Sequence, residues 1–218
     1  MKNREKLIGL AVTGAILAIV VIVIVVARGG DSDSDSGGSA ELVTKTETLD
    51  KPTPGQVVKK GETASVTMET SEGSFTIALD TDQAPNTANN FAYLAEEGFY
   101  DGLGFHRIVP DFVIQGGDPK GDGTGGPGYS VVETPPSDLK YTPGVVAMAK
   151  SGAEAPGTSG SQFYVVTGSG GASLPPDYAL VGKVSEGMDV VDKIGKLGGP
   201  DESPTKDVVI EKATLEKG

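Results

Sequence analysis

The sequence predicts an all-β domain, an eight-stranded closed antiparallel barrel capped by two helices, which follows a membrane-spanning helix and a flexible linker. The chain contains 32 glycines and 14 prolines but only 6% aromatic residues, a composition typical of many turns and few long helices. About eight short apolar stretches alternate with turn residues, and two further stretches have helical periodicity. No strand–helix–strand unit repeats, and closing an antiparallel sheet into a barrel removes its unpaired edges.

The first 28 residues predict a membrane anchor. Lys2, Arg4 and Lys6 precede an almost unbroken apolar run from Leu7 to Ala27, whose length as a helix matches the ~30 Å hydrocarbon core of a bilayer. The basic flank places the N-terminus in the cytoplasm and the rest of the chain outside the cell membrane. The alternative is a signal peptide cleaved after Ala27. Because the apolar run is longer than a signal-peptide core, we predict an uncleaved single-pass anchor.

Residues 29–61 predict a flexible acidic linker. The segment from Gly29 to Ala40 consists almost entirely of Gly, Ser and Asp, and it cannot bury enough apolar surface to offset the entropy of ordering. The segment from Glu41 to Gly61 includes Pro52 and Pro54, has little periodicity and continues the linker. The sequence therefore assigns residues 62–218 to the folded domain.

The elements of this domain follow from local patterns. Ala64–Thr70 and Ser74–Leu79 alternate apolar and polar residues around a short turn, which predicts a hairpin. Pro85–Glu97 has helical periodicity, begins with proline and ends before a glycine. The other predicted elements are two strands within 105–118 broken at Pro110-Asp111, strands at Gly144–Ala149, Gln162–Thr167, Tyr178–Val184 and Lys206–Leu215, and a helix at Gly187–Leu197.

Composition excludes several classes of function. The chain has no cysteine, so it has no disulfide framework, thiol nucleophile or cysteine-based zinc site, and a single histidine is a poor basis for any metal site. A formal net charge of -12 opposes binding to nucleic acid. We therefore expect no metal and no nucleic-acid partner.

Two short motifs resemble those of other enzymes, but each lacks a feature that the motif requires. Gly121 to Gly126 fits the G-x-G-x-x-G pattern of dinucleotide-binding proteins, yet Pro127 and Gly128 follow where a helix would have to begin. Gly157 to Ser161 departs from the G-x-S-x-G pattern of serine hydrolases at its last position. Neither activity is predicted.

The stretch from Phe105 to Asp118 holds the most informative side chains. Arg107 is the only arginine of the predicted domain, since Arg4 and Arg28 flank the apolar N-terminal run. Because Arg107 stands alone among apolar strand residues, a role in keeping the protein soluble does not explain its presence. His106 is the only histidine, and we expect it to be a packed, hydrogen-bonded strand residue rather than a catalytic proton shuttle.

The motifs along the domain resemble those of the cyclophilin-type peptidyl-prolyl cis-trans isomerases. The resemblance extends from Ala64 to Leu215 and is specific as a combination. It rests on Phe105-His106-Arg107-Ile108-Val109-Pro110-Asp111-Phe112, Gln115-Gly116-Gly117-Asp118, Gly123-Thr124-Gly125-Gly126, Met148-Ala149, Gly160-Ser161-Gln162-Phe163 and Val181-Gly182-Lys183-Val184 with Gly187-Met188. It implies an eight-stranded barrel with two helices, and rotation about Xaa-Pro bonds as the activity.

The resemblance also implies a role for individual residues. Arg107 matches the catalytic arginine of the family, and Gln115 matches the amide that orients it. The substrate-binding positions are Phe112, Val113, Tyr164, Leu174 and Tyr178 around the proline ring, Gln162 at the peptide backbone, and Ala149, Lys150 and Ser151 along the extended peptide. Val113, Tyr164 and Tyr178 replace a Met, a Phe and a His of the family. Ser173 replaces a Trp, which argues against cyclosporin binding.

Rotation about an Xaa-Pro bond explains why these residue types would be needed. The rotation barrier of ~18 to 20 kcal/mol comes from amide resonance, and no bond is made or broken, so no nucleophile, metal or cofactor is required. A guanidinium that donates to the proline nitrogen stabilises the twisted amide more than the planar one. We predict a monomeric isomerase domain that acts on Xaa-Pro segments of unfolded or exported proteins. The alternative is a proline-peptide binding module or holdase chaperone with little turnover, which would have no need of Arg107 and Gln115.

Overall fold

The computed structural model describes residues 54–218, and this part of the chain is mostly β-structure with two helices. The elements in chain order are β1 (Ala64–Thr70), β2 (Gly73–Leu79), α1 (Pro85–Glu96), β3 (Arg107–Val109), β4 (Val113–Gly116), β5 (Val131–Val132), β6 (Val145–Met148), β7 (Thr158–Ser159), β8 (Phe163–Val166), β9 (Leu180–Glu186), α2 (Met188–Gly195) and β10 (Ile210–Lys217), with a 3-10 turn at Ser169–Ser173 before β9. Both predicted helices and all eight predicted strands are present within a few residues of their expected bounds. The sequence missed β5 and β7, which form a separate two-stranded ladder and are too short to show a periodic pattern.

Eight of the strands form one curled antiparallel sheet in the order β10-β1-β2-β9-β6-β8-β4-β3. The closed barrel that the sequence predicts is not seen as a complete ladder in the part of the chain that the structure describes, since β3 and β10 do not pair with each other. Instead, the residues just before each of these strands meet at one bridge between Gly104 and Val209. Backbone bonds from Phe105 N to Val208 O (2.9 Å) and from Ile210 N to Leu103 O (2.8 Å) flank this bridge. We call this contact the seam.

The inner face of the sheet is filled by aromatic and aliphatic side chains. Phe163 on β8 is fully buried, and its ring makes edge contacts with Phe91 on α1 at 5.3 Å and with Tyr100 at 5.5 Å. Phe105 lies 6.0 Å from the same ring. Because successive residues of a strand point to opposite faces, the next residue, Tyr164, belongs to a second apolar cluster on the outer face. Strand β8 therefore supplies the core with one residue and the outer surface with the next.

The chain before β1 packs against α1. The side-chain amide of Asn89 accepts hydrogen bonds from the backbone N–H groups of Val57 (2.8 Å) and Val58 (3.1 Å) and donates to the carbonyl of Gly55 (2.9 Å). Val58 is 2% exposed and belongs to the core. Residues 54–61, which the sequence assigns to the end of the linker, are thus held on the surface of the domain.

The predicted membrane helix and the rest of the linker lie outside the described residues. Among residues 54–218, no helix has both the length and the apolar character needed to cross a bilayer.

A carboxylate in the β1–β2 turn makes part of the stability depend on pH. The side chain of Glu72 is 5% exposed and accepts hydrogen bonds from Lys193 (2.8 Å) and Lys206, which lower the pKa of Glu72 below its ordinary value. A carboxylate with a lowered folded-state pKa stabilises the fold above its unfolded pKa of about 4.3, and this contribution disappears as the pH falls through the lowered value.

We therefore expect Glu72→Gln to lower the free energy of unfolding at pH 7, and we expect its difference from wild type to shrink steadily as the pH falls below the unfolded pKa of about 4.3. Urea denaturation of both proteins across this range measures the difference. Glu96→Gln is the control, because the pair of Glu96 with Lys217 is about two-fifths exposed and contributes little. An unchanged difference between Glu72→Gln and wild type at low pH would contradict the assignment.

Candidate functional site

Strand register places four of the relevant side chains in one row across the outer face of the sheet. Arg107 on β3 lies directly opposite Gln115 on β4, Gln115 lies opposite Tyr164 on β8, and Tyr164 lies opposite Ala147 on β6. Directly opposed residues of antiparallel strands share a face, so these four residues form one continuous row on the outer face of the sheet. Val113, two residues before Gln115 on β4, points to the same side. The candidate site is thus built on the sheet itself.

A chain of side-chain amides leads from the glycine-rich loop, residues 116–128, to the arginine. Gln162 donates through Nε2 to the carbonyls of Gly123 (3.0 Å) and Gly125 (2.9 Å). Its Oε1 accepts from Nε2 of Gln115 (3.1 Å), and Oε1 of Gln115 in turn accepts from Nη1 of Arg107 (3.4 Å). Each amide therefore has its orientation set by the preceding one, and the loop carbonyls set the first.

The guanidinium of Arg107 has two further neighbours. Its Nε donates to Oε2 of Glu202 at 2.7 Å, and its central carbon lies 5.9 Å from the centre of the Phe112 ring, within the range of a cation–π contact. The side chain of Arg107 is 34% exposed, so one side of the guanidinium remains open to solvent. No pattern in the sequence points to Glu202. It is 95 residues away in a loop, where an acidic residue usually means solvation.

The residues predicted to surround a proline ring do lie together. Phe112, Val113, Tyr164, Leu174 and Tyr178 belong to one apolar cluster on the outer face, which we call the apolar patch. Val113 and Tyr164 form its floor, with 2% and 4% of their surface exposed. Phe112, Leu174 and Tyr178 are half-buried around them. The Phe112 ring, which contacts the Arg107 guanidinium, joins the patch to Arg107.

Tyr141, which the sequence did not single out, supports the rim of the apolar patch. Its hydroxyl donates to the carbonyl of Tyr178 (2.8 Å) and accepts from the N–H of Tyr178 (3.0 Å). Burial raises the pKa of Tyr141 to about 12. The rings of Tyr164 and Tyr178 meet edge to face at 5.6 Å. No local pattern predicts this support, because Tyr141 and Tyr178 are 37 residues apart and meet only in the folded chain.

The Tyr164 hydroxyl is buried, and it has no hydrogen-bond partner among the described residues. Burial raises its pKa far above the ordinary value of a tyrosine. A buried hydroxyl without a partner costs about 1 to 3 kcal/mol of stability. The hydroxyl stands where the family resemblance expects a phenylalanine.

We expect Tyr164→Phe to raise the free energy of unfolding by about 1 kcal/mol, because the variant no longer buries an unpaired hydroxyl. Thermal and urea denaturation measure the gain. Tyr141→Phe is the matched control, since it removes a hydroxyl with two hydrogen bonds and should destabilise the protein. Equal losses in both variants would mean that the Tyr164 hydroxyl is paired in solution.

The residues predicted to contact an extended peptide line an open cleft of about 860 Å³ next to the patch. We call it the polar cleft, and its walls include Gln115, Ala149, Lys150, Ser151 and Gln162 together with the loop from Gly123 to Ser130. The backbone of Ala149 donates to Gln162 O (2.8 Å), which joins β6 to β8 at the cleft floor. The ammonium of Lys150 lies 5.5 Å from the centre of the Tyr178 ring, between the cleft and the apolar patch. All of the predicted site residues therefore lie in the patch, in the cleft or beside Arg107.

His106 lies apart from this site. It lines a different cavity of about 340 Å³ with Asp118, Lys120 and Asp207. Desolvation lowers the pKa of His106, which the charge of Asp118 partly opposes. The residue is packed as expected, but the expected hydrogen bonds are wrong, since neither ring nitrogen has a partner among the described residues. Its position does not suit a proton shuttle at Arg107.

The fold and the site together define a class of protein: a curled antiparallel sheet whose outer face holds a fixed arginine between an apolar patch and a polar cleft. Comparison with known proteins identifies the family that has this arrangement. The sequence model of the family described as cyclophilin type peptidyl-prolyl cis-trans isomerase/CLD matches residues 65–215. This chain belongs to the cyclophilin-type peptidyl-prolyl cis-trans isomerase family.

Relatives cover most of the chain. The probable peptidyl-prolyl cis-trans isomerase B of Mycobacterium leprae is 37% identical over 185 residues, which is 76% of this chain and 61% of the relative. This chain therefore matches about three-fifths of that protein's length. The peptidyl-prolyl cis-trans isomerase-like 1 of Aspergillus oryzae is 40% identical over 159 residues, which is 70% of this chain and 96% of the relative.

Solved structures agree with the fold. The crystal structure of a cyclophilin-type peptidyl-prolyl cis-trans isomerase from Cryptosporidium parvum superposes with a TM-score of 0.64 at 29% sequence identity, over 72% of this chain and 99% of that chain. A second structure of the same protein, obtained in the presence of the dipeptide Ala-Pro, gives a TM-score of 0.63 at 28% identity.

Proposed function

We propose that this chain catalyses cis-trans isomerisation of Xaa-Pro bonds in peptide segments bound across the apolar patch and the polar cleft. The observation that carries the proposal is the fixed guanidinium of Arg107, which lies between Phe112 of the patch and Gln115 of the cleft. Membership of the isomerase family supports the same reaction. The solved relative obtained with Ala-Pro supports a proline-containing ligand.

Each part of the groove would contribute in a different way. The proline ring would occupy the apolar patch, where burial fixes it while the preceding residue rotates. The peptide backbone would lie along Ala149 to Ser151, held by backbone groups and by the Gln162 amide. Arg107 would donate to the proline nitrogen, which regains its lone pair when the amide twists and is therefore a better acceptor in the transition state than in the ground state.

The size of the electrostatic effect is limited. One charge-assisted hydrogen bond in a partly desolvated groove is worth about 1.5 to 3 kcal/mol, which is about one to two decades of rate. The remaining acceleration would come from holding the ring in the apolar patch and from removing water from the amide. An arginine suits this role better than a lysine, because its planar fork can be held at one edge by Gln115 while another edge donates.

The location and the partners form a second part of the proposal. The basic N-terminal residues and the apolar run from Leu7 to Ala27 support a single-pass anchor in the cell membrane, with the isomerase domain on the extracytoplasmic side. The clients would be unfolded or exported proteins with Xaa-Pro segments. The domain would act as a monomer without cofactor. Ser173, in place of a tryptophan, supports weak binding of cyclosporin.

The proposal is tested with a fragment from Glu41 to Gly218 and a peptide that contains an Ala-Pro bond. We expect the fragment to accelerate cis-trans exchange, measured by NMR exchange spectroscopy or by a coupled protease assay. Binding of the peptide without acceleration would support a proline-peptide binding module or holdase instead. If the fragment neither binds the peptide nor accelerates its exchange, both functions are contradicted.

A further inference from the structure

We propose that Glu202, in the loop between α2 and β10, is a positioning residue for Arg107 and makes this loop part of the active site. The inference rests on the proposed isomerase function and extends it to a residue far from the groove in sequence. Three features of the structure carry it: the pairing of the two side chains, the backbone of the loop, and the exposure of the pair.

The pairing determines which donors of the arginine are free. A guanidinium has five N–H donors in a fixed planar arrangement. Nε is held by Oε2 of Glu202 at 2.7 Å, and Nη1 is held more loosely by Oε1 of Gln115 at 3.4 Å. Within residues 54–218, Nη2 has no hydrogen-bond partner. The shorter bond is the one to Glu202, so the carboxylate fixes the guanidinium plane and leaves the far end of the fork free to donate.

The backbone places Glu202 for this contact. Its φ of +67° lies in the left-handed region, which is disfavoured for a glutamate. Its carbonyl accepts from the N–H of Ile108, the residue next to Arg107, at 2.7 Å. Glu202 therefore contacts β3 twice, through the backbone N–H of Ile108 and through the side chain of Arg107. Strained backbone conformations of this kind are concentrated at functional sites.

Stability does not explain the pair. The side chains of Arg107 and Glu202 are 34% and 41% exposed, and ion pairs with this exposure contribute little to folding. A bound peptide, in contrast, would cover the guanidinium and remove water from it. A carboxylate already in contact with Nε would then offset the loss of hydration and prevent the arginine from turning toward solvent.

The test uses the full-length chain in detergent, with Glu202→Gly, Glu202→Gln, Arg107→Ala and the double variant Arg107→Ala with Glu202→Gly. Glycine tolerates the left-handed backbone, so this change removes the carboxylate without adding strain. We expect Glu202→Gly to lower kcat by about tenfold with a smaller change in KM, since a misplaced catalytic group mainly affects the transition state. Glu202→Gln keeps an acceptor at the same length and should lose less.

The double variant separates positioning from folding. If Glu202 acts through Arg107, its removal should cause no further loss once Arg107 is alanine. An equal loss of activity in both backgrounds would overturn the proposal, and so would wild-type kcat in Glu202→Gly. Should Glu202→Gly fail to fold, Glu202→Gln in the two backgrounds gives the same comparison.

A second readout does not depend on turnover. The chain has three arginines, so the Nε–H signal of Arg107 in a nitrogen-15 NMR spectrum is identified by its loss in Arg107→Ala. We expect this signal to be protected from exchange with water in the wild type and to lose that protection in Glu202→Gly. Unchanged protection would overturn the pairing. Absence of isomerase activity in the wild type would contradict the proposed function, while this signal would still report on the pair.

Discussion

Replacing Arg107 by alanine is expected to lower kcat/KM for an Ala-Pro peptide by about 10- to 100-fold, the one to two decades of rate that one charge-assisted hydrogen bond to the transition state supplies. The physical reason is that the guanidinium meets a good acceptor only while the amide is twisted, so its loss raises the barrier and leaves the planar peptide bound as before. Exchange rates and peptide affinity, measured by NMR on wild type and variant, check both parts of the expectation.

Arg107→Lys is the matched control for charge. It keeps a cation on the same strand but loses the planar fork that Gln115 and Glu202 hold, so we expect it to recover only a small part of the activity. Full activity in the lysine variant would mean that a positive charge alone is sufficient. Wild-type activity in the alanine variant would remove Arg107 from the mechanism.

Replacing Phe163 by alanine is expected to have the largest effect on stability, a loss of about 3 to 5 kcal/mol in the free energy of unfolding. Its ring is fully buried and contacts Phe91, Tyr100 and Phe105, so the variant loses apolar burial and leaves a cavity among these rings. For a domain of this size, such a loss lowers the melting temperature by roughly 6 to 20 °C. Differential scanning calorimetry measures the shift.

Val132→Ala is the control for this prediction. Val132 is 61% exposed on the short strand β5, so its truncation should change the free energy of unfolding by less than about 0.5 kcal/mol. A loss below about 1 kcal/mol in Phe163→Ala would mean that the surrounding rings close the cavity by moving together. That result would contradict the tight aromatic packing described above.

Local patterns were sufficient for both helices and for eight of the ten strands of residues 54–218. The hairpin of β1 and β2 was predictable because alternation and a turn glycine are adjacent in sequence, and α1 was predictable because proline and glycine mark its ends. How the two ends of the sheet meet was not predictable in this way. The seam depends on backbone hydrogen bonds between residues near 104 and residues near 209. Because almost any residue can make such bonds, the sequence carries no signal for this pairing.

The candidate site was predictable to a different extent. Arg107 could be recognised because it is the only arginine of the domain, and the resemblance assigned the residues of the apolar patch and the polar cleft. Glu202 and Tyr141 were missed, since each acts through a partner that only folding brings close. The burial of the Tyr164 hydroxyl was also not predictable, because it depends on how completely neighbouring side chains cover one atom.

The order of strands has a consequence for synthesis of the protein. Strand β1, near the start of the domain, has β10 as one of its two neighbours, and Ala64 pairs with Lys217 in this last strand of the domain. While the ribosome is still adding residues, one edge of β1 has no strand to pair with, and an open edge invites pairing with other nascent chains. The sheet is complete only once β10 has been synthesised and has left the ribosome. Full folding of this domain therefore waits for its last strand.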